Sequence, residues 1–192
     1  MYHPFLIGER IYLRRVEKND LEGNYFQWLN DQEVTRWMQN GIFPNSDESM
    51  LEYHQYMAGS RTDMNLAMVI KEDDRHIGNI SISGLNQLFR CAEIGILIGE
   101  KDALGQGYGS EAIFLLAGHA FQRMNLNRLG AGAVVENIGS IKAFEKAGFI
   151  REGISRQAYF CEGQYRDCVH LGLLRCEWNK MEQLGVSELK KK

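Results

Sequence analysis

The chain has few of the features that mark special classes of protein. Only two of its 192 residues are proline, so no proline-rich linker marks a domain boundary, and we expect one domain at this length. No apolar run reaches the ~18–20 residues that a membrane-spanning helix needs, and we expect no signal peptide. A net charge of −3 gives no general attraction to nucleic acid or to an anionic membrane. We therefore expect a cytoplasmic protein whose partners include neither nucleic acid nor membrane.

The four cysteines, at positions 91, 161, 168 and 176, follow no metal-ligand spacing. We therefore expect no metal in this protein. Cys161 and Cys168 could meet across a predicted hairpin, but without export signals we expect all four thiols to be reduced.

The most informative segment is a glycine-rich loop between a predicted strand and a predicted helix. Its residues are Leu104, Gly105, Gln106, Gly107, Tyr108, Gly109 and Ser110. Glycine tolerates positive φ, so such a loop can turn its backbone N–H groups inward. The helix that follows adds unpaired amides and the positive end of its dipole. The segment therefore predicts a binding site for a phosphate or pyrophosphate.

The remaining pattern predicts an α+β fold in which helices flank a mixed central sheet of about seven strands. Alternation predicts strands over residues 10–16, 66–71, 76–85, 91–99, 128–135, 149–160 and 165–174. Helical spacing and caps predict helices over residues 21–29 (capped by Asn19-Asp20), 45–58, 107–124 and 138–147. At the start of the second of these helices, Asn45 and Glu48 stand at capping-box spacing. We expect one domain over residues 1–180 and a charged, frayed tail over residues 181–192.

A second motif follows the glycine loop by some thirty residues, from Asn137 through Phe144-Glu145-Lys146-Ala147-Gly148-Phe149. It predicts a short amphipathic helix that ends at Gly148. The two motifs, in this order, resemble the GNAT superfamily of acetyl-CoA-dependent N-acetyltransferases. The segments 28–34, 92–95 and 148–153 resemble the branch that acetylates the N-termini of ribosomal proteins, and spermidine and amino-sugar acetyltransferases share much of the pattern. The resemblance covers roughly residues 10–175.

This resemblance implies that acetyl-CoA binds as a co-substrate to a mostly antiparallel sheet that is splayed between its fourth and fifth strands. Backbone groups of Ile96, Leu97 and Ile98 would pair with pantetheine, and Asn137 would hydrogen-bond the same arm. The amides of residues 106–110 would take the pyrophosphate.

Two positions depart from the superfamily pattern. Leu104 stands where a Gln or Arg is usual, which leaves the loop amides unaffected. Phe144 stands where many members have the tyrosine that protonates the leaving thiolate, and a phenyl ring has no proton to donate. We expect Phe144 to pack against the pantetheine arm.

The chemistry requires a base, because a primary amine is mostly ammonium near neutral pH and must lose a proton before it attacks the thioester. Glu93 is the candidate base, since desolvation in an apolar strand would raise its pKa. It could instead point outward or pair with a nearby Arg. Ser140 and Tyr159 are candidate donors to the leaving sulfur. Ser140 could equally cap its helix, and Tyr159 could equally fill the sheet surface.

The residues leave three kinds of primary-amine acceptor open: a protein N-terminus, a polyamine or an amino sugar. We expect the helices of residues 19–60 and the 159–166 hairpin to discriminate between them, with Trp28 and Trp37 either lining the acceptor pocket or packing in the core. The acidic residues Asp47, Glu48 and Glu52 could attract a cation or form a solvated helix face. We expect direct attack in a ternary complex, in a monomer or homodimer. A catalytically silent acyl-CoA sensor is the alternative function.

Overall fold

The structure is a computed structural model that describes residues 1–184, and an eight-stranded sheet runs through it. The strands are β1 (Leu6–Ile7), β2 (Ile11–Arg15), β3 (Met64–Ile70), β4 (His76–Asn86), β5 (Cys91–Ile98), β6 (Arg128–Val134), β7 (Ile150–Cys161) and β8 (Gln164–Leu174). The helices are α1 (Lys18–Leu21), α2 (Asn24–Asn30), α3 (Asp47–Gly59), α4 (Tyr108–Gln122), α5 (Ile138–Lys146) and α6 (Arg175–Leu184), with a short 3₁₀ helix at Lys101–Ala103.

The sheet order is β1-β2-β3-β4-β5-β6-β8-β7, and every neighbouring pair is antiparallel except β5 and β6. The parallel pair is in register only from Cys91 opposite Arg128 to Glu93 opposite Gly130. Beyond those residues the two strands part, so the predicted splay is confirmed. The α+β class and the mixed, mostly antiparallel sheet are confirmed as well. The one strand that the sequence did not predict is β1, which has two residues.

Helices cover the two faces of the sheet unequally, because adjacent residues of a strand point to opposite faces. On one face, Leu13 lies in a core with the apolar sides of α4, α5 and α6. On the other face, Tyr12 packs with residues of α1, α2 and α3, and this cluster reaches as far across the sheet as Leu97 of β5. The edge strand β7 is exposed over nine consecutive residues from Ile150. The second face of the sheet is therefore open beside the point where β5 and β6 part.

The first predicted helix is wrong in its start and its continuity. Asp20 does not cap it; Asp20 lies inside α1 and accepts hydrogen bonds from the backbone N–H of Glu17 and from Arg14, both at 2.7 Å. Glu17 is the N-cap, and Gly23 interrupts the helix and begins α2. The Arg14 ion pair ties Asp20 to β2, so its carboxylate is not free to act as the predicted cap.

The start of α3 is displaced by one residue from the prediction. Ser46 and Ser49 form the capping box, not Asn45 and Glu48. The Asn45 amide donates instead to the carbonyl of Leu29 at 3.1 Å, which ties the segment before α3 to the end of α2.

The C-terminal helix α6 was not predicted. Its Trp178 is 3% exposed and packs against Phe114 and Phe121 of α4. The helix continues to Leu184, so it enters the segment predicted to be a frayed tail, and residues 185–192 of that segment lie outside the described residues.

Two further expectations concern the cysteines and the membrane. Cys161 lies opposite Gln164, and Cys168 lies opposite Ser155, so the two thiols do not meet across the hairpin. All four cysteines are free. Among the helices between residues 1 and 184, none combines the length and apolar character required to cross a bilayer.

Candidate active site

The glycine loop adopts the backbone that its composition predicts. Gly105 and Gly107 have φ of 73° and 85°, in the left-handed region that favours glycine. Gly107 is the N-cap of α4 and supplies no side-chain hydrogen bond to the helix. The first amides of this 15-residue helix therefore point out of its N-terminus without a cap. At Gly109, an added Cβ would lie 3.4 Å from both Ile96 and Ile98, so glycine lets α4 lie close against β5.

Arg10, which immediately precedes β2, contacts this loop and holds it in place. Its Nη1 donates to the carbonyl of Gln106 at 2.7 Å, across 96 positions of sequence. Its Nε donates to Glu111 of α4 at 3.1 Å, and its guanidinium lies 4.7 Å from the ring centroid of Tyr108. A positive charge thus lies beside the loop although Leu104, which is 55% exposed, supplies none. The sequence analysis missed Arg10, because nothing local in a strand residue points to a loop so distant in the chain.

Between β5 and β6 lies a cleft of about 240 Å³. Its two long edges are residues 94–98 of β5 and residues 131–134 of β6, which follow the three paired positions. Successive residues of a strand point their N–H and C=O groups to opposite edges, so alternate backbone groups on both edges face the gap. Ile96 and Leu97 line the cleft, while Ile98 lies at the end of β5 nearest the glycine loop. The cleft thus offers rows of donors and acceptors to an extended polar chain.

The helix α5 contributes three of the predicted site residues to this cleft. Asn137 is the N-cap of α5, and its Oδ1 accepts a hydrogen bond from the Ser140 backbone N–H at 3.2 Å. Phe144 is 2% exposed and meets Phe149 edge to face, with ring centroids 5.1 Å apart. Phe144 is therefore a buried packing residue of α5, and its contact with a pantetheine arm stays a prediction.

Ser140 and Tyr159, the two candidate proton donors, line the same cleft. Burial raises the pKa of the Tyr159 hydroxyl, and the neighbouring Cys168 adds to the effect. Tyr159 therefore keeps its proton at neutral pH and can donate it. The structure brings both candidates to one place without distinguishing between them.

Glu93 lies at the closed end of the splay, where the strands are still paired. It faces Gly130, and a Cβ at that position would collide with the Glu93 carboxylate. Glu93 is exposed to solvent, as in the outward-pointing alternative that the sequence left open. Its partial burial still raises its pKa, and the Glu152 carboxylate adds to this, while Arg128 and His170 oppose it. The Nη1 of Arg128 donates a hydrogen bond to the Glu152 carboxylate at 2.6 Å, and its Nη2 donates a second one to the same group. Glu93 is therefore near Arg128 but is not its ion-pair partner.

The two predicted acceptor tryptophans lie in different surroundings. Trp37 lines the cleft. Trp28 is 5% exposed, donates its indole N–H to Glu100 at 3.0 Å and meets His76 edge to face. Trp28 therefore packs in the core, which is one of the two alternatives that the sequence left open for both tryptophans.

Polar residues that the sequence analysis missed line the acceptor side of the cleft. They are Tyr25, Tyr53, Asn65, Asn79 and Ser81. The Asn65 amide donates to the Tyr25 hydroxyl at 3.4 Å, and burial raises the pKa of Tyr25. The one signal in the sequence was Asn79 itself, which interrupts an apolar strand with a residue that strands disfavour.

An ion pair joins the two segments expected to discriminate between acceptors. Arg36, before α3, binds Glu162 in the β7–β8 turn through two bonds of 2.8 and 2.9 Å. The same guanidinium lies 4.5 Å from the centroid of the Trp37 ring. These contacts place the cleft mouth between the helical segment and the hairpin. The acidic start of α3 lies elsewhere, since Asp47 lines a separate groove with Lys18.

Comparison with known proteins identifies the class that this fold and cleft define. Residues 10–150 match the family described as the acetyltransferase (GNAT) domain. The chain therefore belongs to the GNAT acetyltransferase family, and it is a transferase of the N-acetyltransferase kind.

Its relatives include proteins with different acceptors. The chain is 31% identical over 177 residues to an uncharacterized N-acetyltransferase, p20, of Bacillus licheniformis, a match that covers 90% of this chain and 97% of that protein. It is 31% identical over 175 residues to the ribosomal-protein-serine acetyltransferase of Escherichia coli, covering 87% and 94%. A crystal structure of spermidine N-acetyltransferase from Vibrio cholerae in complex with CoA and spermine shares the fold, with a TM-score of 0.81 at 20% identity over 88% of this chain and 98% of that one.

Proposed function

We propose that this N-acetyltransferase transfers the acetyl group of acetyl-CoA to a primary amine by direct attack in a ternary complex. The observation that carries the proposal is the continuity of two features. The strand whose free edge opens the cleft leads, through the 3₁₀ helix and the glycine loop, to the uncapped N-terminus of α4. An anion at the loop and an extended chain between β5 and β6 can therefore belong to one molecule. That a protein of the same fold was solved with CoA supports this choice of donor.

The residues present fit such a donor along its length. The amides of residues 106–110 would hold the pyrophosphate, with Arg10 adding positive charge beside them. The free edges of β5 and β6 and the Asn137 amide would hydrogen-bond the pantetheine arm. The apolar ring of Phe144 would pack against that arm from α5.

Glu93 is proposed to accept the proton of the attacking amine, directly or through water. Its raised pKa makes the carboxylate a stronger base than an ordinary glutamate. As the new C–N bond forms, the C–S bond breaks and the thiolate leaves. Ser140 or Tyr159 would then supply the proton that the sulfur takes, with solvent as the remaining source.

The donor site is tested by Gly107→Val. The substitution places a branched side chain where the backbone must approach phosphate, and left-handed backbone disfavours it. Calorimetry should show an acetyl-CoA affinity at least about tenfold weaker. Gly84→Val is the matched control, because Gly84 also has positive φ, at 60°, but has open space around it. Unchanged affinity in Gly107→Val, or an equal loss in both variants, contradicts the loop assignment.

The base is tested by Glu93→Gln, which keeps the shape of the side chain and removes its basicity. Turnover at neutral pH should fall on the order of 10²-fold and recover partly at high pH, where the amine deprotonates unaided. In the wild-type enzyme, kcat/KM should rise with pH through a pKa above the ordinary glutamate value, because Glu93 must be ionised to act. Glu72→Gln, in the exposed β3–β4 turn, should leave the profile unchanged. A wild-type rate and profile in Glu93→Gln shows that solvent takes the proton.

A second candidate function is a catalytically silent acyl-CoA-binding module. The observation that favours it is Phe144, which occupies the usual position of the proton-donating tyrosine. Acetyl-CoA turnover with a panel of primary amines separates the two functions, since a silent module binds the thioester and leaves it intact.

A further inference from the structure

A second cavity, of about 510 Å³, lies at the end of the sheet where β2 stops and β3 begins. Its volume is within the range that is typical of small-molecule sites. Its walls are residues 3–5, α3 from Tyr53 onward and residues 60–66, with Met124 after α4. Of the described residues, none that is proposed to hold acetyl-CoA lines this cavity, which shares Tyr25, Tyr53 and Asn65 with the lining of the cleft. The cavity is therefore a separate space behind one wall of the acceptor side.

The inner part of this cavity is apolar. Its side chains come from the cores on both faces of the sheet and from three methionines: Val16, Leu66, Ile82, Met57, Met64 and Met124. Methionine is flexible and polarizable, so it adapts its shape to different apolar groups. These walls fit an alkyl or aryl body.

Two arginines at the rim of the cavity have no ion-pair partner. Arg15 and Arg61 are both exposed and line the cavity. Arg15 donates a hydrogen bond to the Ala58 carbonyl at 3.1 Å, and neither guanidinium pairs with a carboxylate among residues 1–184. Both groups are therefore available to an anion.

Asp63 is the one carboxylate that lines the cavity over the part of the chain that the structure describes. It accepts hydrogen bonds from the hydroxyls of Thr62 at 2.7 Å and Ser60 at 3.0 Å, and from the backbone N–H of Gly84 at 3.2 Å. The bond from Thr62 contributes most to lowering the pKa of Asp63, which stays ionised at neutral pH. Two guanidinium charges therefore face one carboxylate whose oxygens already have donors.

This combination of charge and apolar surface is complementary to a carboxylic acid with an apolar chain. The planar fork of a guanidinium matches the two oxygens of a carboxylate. An excess of one charge beside walls of low dielectric constant concentrates the opposite charge. An apolar chain attached to that anion is removed from water when it lies against the inner walls.

We propose that this cavity is a second binding site, and that its ligand is a carboxylate with an alkyl or aryl chain. Arg15 and Arg61 would bind the carboxylate at the rim, and the chain would lie against Leu66 and the methionines. The inference is independent of acetyl transfer, because it concerns binding without turnover.

The test is calorimetry with octanoate as the probe. Octanoate should bind with a stoichiometry of one. Acetate has the same head group without the chain, and octyltrimethylammonium has a similar chain with a cationic head. Each should bind at least about tenfold more weakly than octanoate.

Arginine variants test the head-group contacts. Arg15→Gln and Arg61→Gln should each weaken octanoate by about 5- to 20-fold, because each removes a charged hydrogen-bond donor at a partly solvated site. Arg156→Gln is the matched control: Arg156 is exposed on β7 and, like Arg61, has no ion pair among residues 1–184. It should leave the affinity for octanoate unchanged.

A variant of α3 tests the location of the chain. Helical spacing puts residues 53, 54, 57 and 58 on one side of α3, and all four line the cavity. Ala58→Phe adds a ring on that side and should abolish octanoate binding at an unchanged Tm. Gln55→Phe adds the same ring at an exposed position of α3 outside the cavity lining and should leave binding unchanged.

The cleft between β5 and β6 is the other place where an acyl chain could lie. Saturating acetyl-CoA should leave the affinity for octanoate unchanged, and displacement of octanoate by acetyl-CoA overturns the proposal. Equal affinity for octanoate and octyltrimethylammonium also overturns it, as does wild-type affinity in both Arg15→Gln and Arg61→Gln. Absence of octanoate binding up to about 10 mM overturns it too. Each of these results leaves the proposed acetyl transfer standing, since that function is measured by thiol release.

Discussion

Removal of the Arg10 side chain isolates the contribution that its contacts with the glycine loop and α4 make to cofactor binding. Arg10→Ala deletes the hydrogen bond to the Gln106 carbonyl, the ion pair with Glu111 and the contact with the Tyr108 ring. The bond to Gln106 is to its carbonyl oxygen, so none of these contacts occupies an amide N–H that would bind phosphate. The variant therefore keeps every loop amide and removes only what holds the loop in place and the charge beside it.

The magnitude follows from the exposure of the three contacts. The Arg10 side chain is 46% exposed, so the ion pair is worth about 0.2–1 kcal/mol. The ring contact adds about 0.5–1 kcal/mol at an exposed site, and the bond to the carbonyl adds about 1 kcal/mol. Because these three contributions overlap, we expect the free energy of acetyl-CoA binding to become less favourable by about 2 kcal/mol at most. That corresponds to an acetyl-CoA affinity that is weaker by roughly 5- to 30-fold.

The assay is calorimetry of CoA and of pantetheine, which lacks the pyrophosphate. Arg10→Ala should weaken CoA and leave pantetheine unchanged, and the loss should shrink at high salt because one charge is involved. Arg90→Ala is the matched control: Arg90 also donates to a main-chain carbonyl, that of Asn125 at 2.8 Å, but precedes β5 and lies about 25 Å along the strand from the loop. An equal loss of affinity for CoA and pantetheine, or the same loss in Arg90→Ala, refutes the claim that Arg10 supports pyrophosphate binding by holding the loop.

Two more predictions concern Phe144 and the pair that fixes α1. Phe144→Ala should cost about 3–5 kcal/mol of unfolding free energy in a urea titration and weaken CoA through the cavity beside the arm, whereas Phe144→Tyr should keep activity; unchanged CoA affinity in Phe144→Ala contradicts its position. Asp20→Ala should cost about 3 kcal/mol, because Arg14 is left buried and unpaired. Although burial alone raises the pKa of Asp20, hydrogen bonds from Arg14 and Glu17 lower it on balance, and burial lowers the pKa of His76. Both groups bind protons more tightly when unfolded, so the urea midpoint should fall below pH 6.5 as His76 titrates and again below pH 4 as Asp20 does; a flat wild-type profile contradicts these surroundings.

The parts of the fold that the sequence predicted well are those with local chemistry. Strand β5, the glycine loop and α4 were placed within one or two residues of their ends, because positive φ at Gly107 and helical spacing are properties of neighbouring residues. The same holds for α5 between its cap at Asn137 and Gly148. These two segments also carry the predicted cofactor site, whose residues remain proposals for ligand contact.

The parts that the sequence did not predict depend on contacts between distant segments. Arg10 reaches its loop across 96 positions, and Arg36 reaches Glu162 across 126. The start of α1 was missed because Asp20 binds Arg14 of β2 in place of capping the helix. The position of Asn79 in the cleft lining was missed because sheet pairing decides which face of β4 lies toward the cleft. Trp28 was indistinguishable from Trp37 because its surroundings depend on distant residues such as Glu100, to which its indole N–H donates.

Mass balance between thiol release and acetylated product tests the central claim most directly. The wild-type protein is incubated with acetyl-CoA and alanyl-alaninamide, free CoA is measured with a thiol reagent, and the N-acetyl product is measured by mass spectrometry. We predict one mole of N-acetyl dipeptide for each mole of CoA released, with both rates reduced on the order of 10²-fold in Glu93→Gln. Tight binding of acetyl-CoA with no thiol release beyond background, for this acceptor and for any other primary amine, would contradict the claim and identify a silent acyl-CoA-binding module.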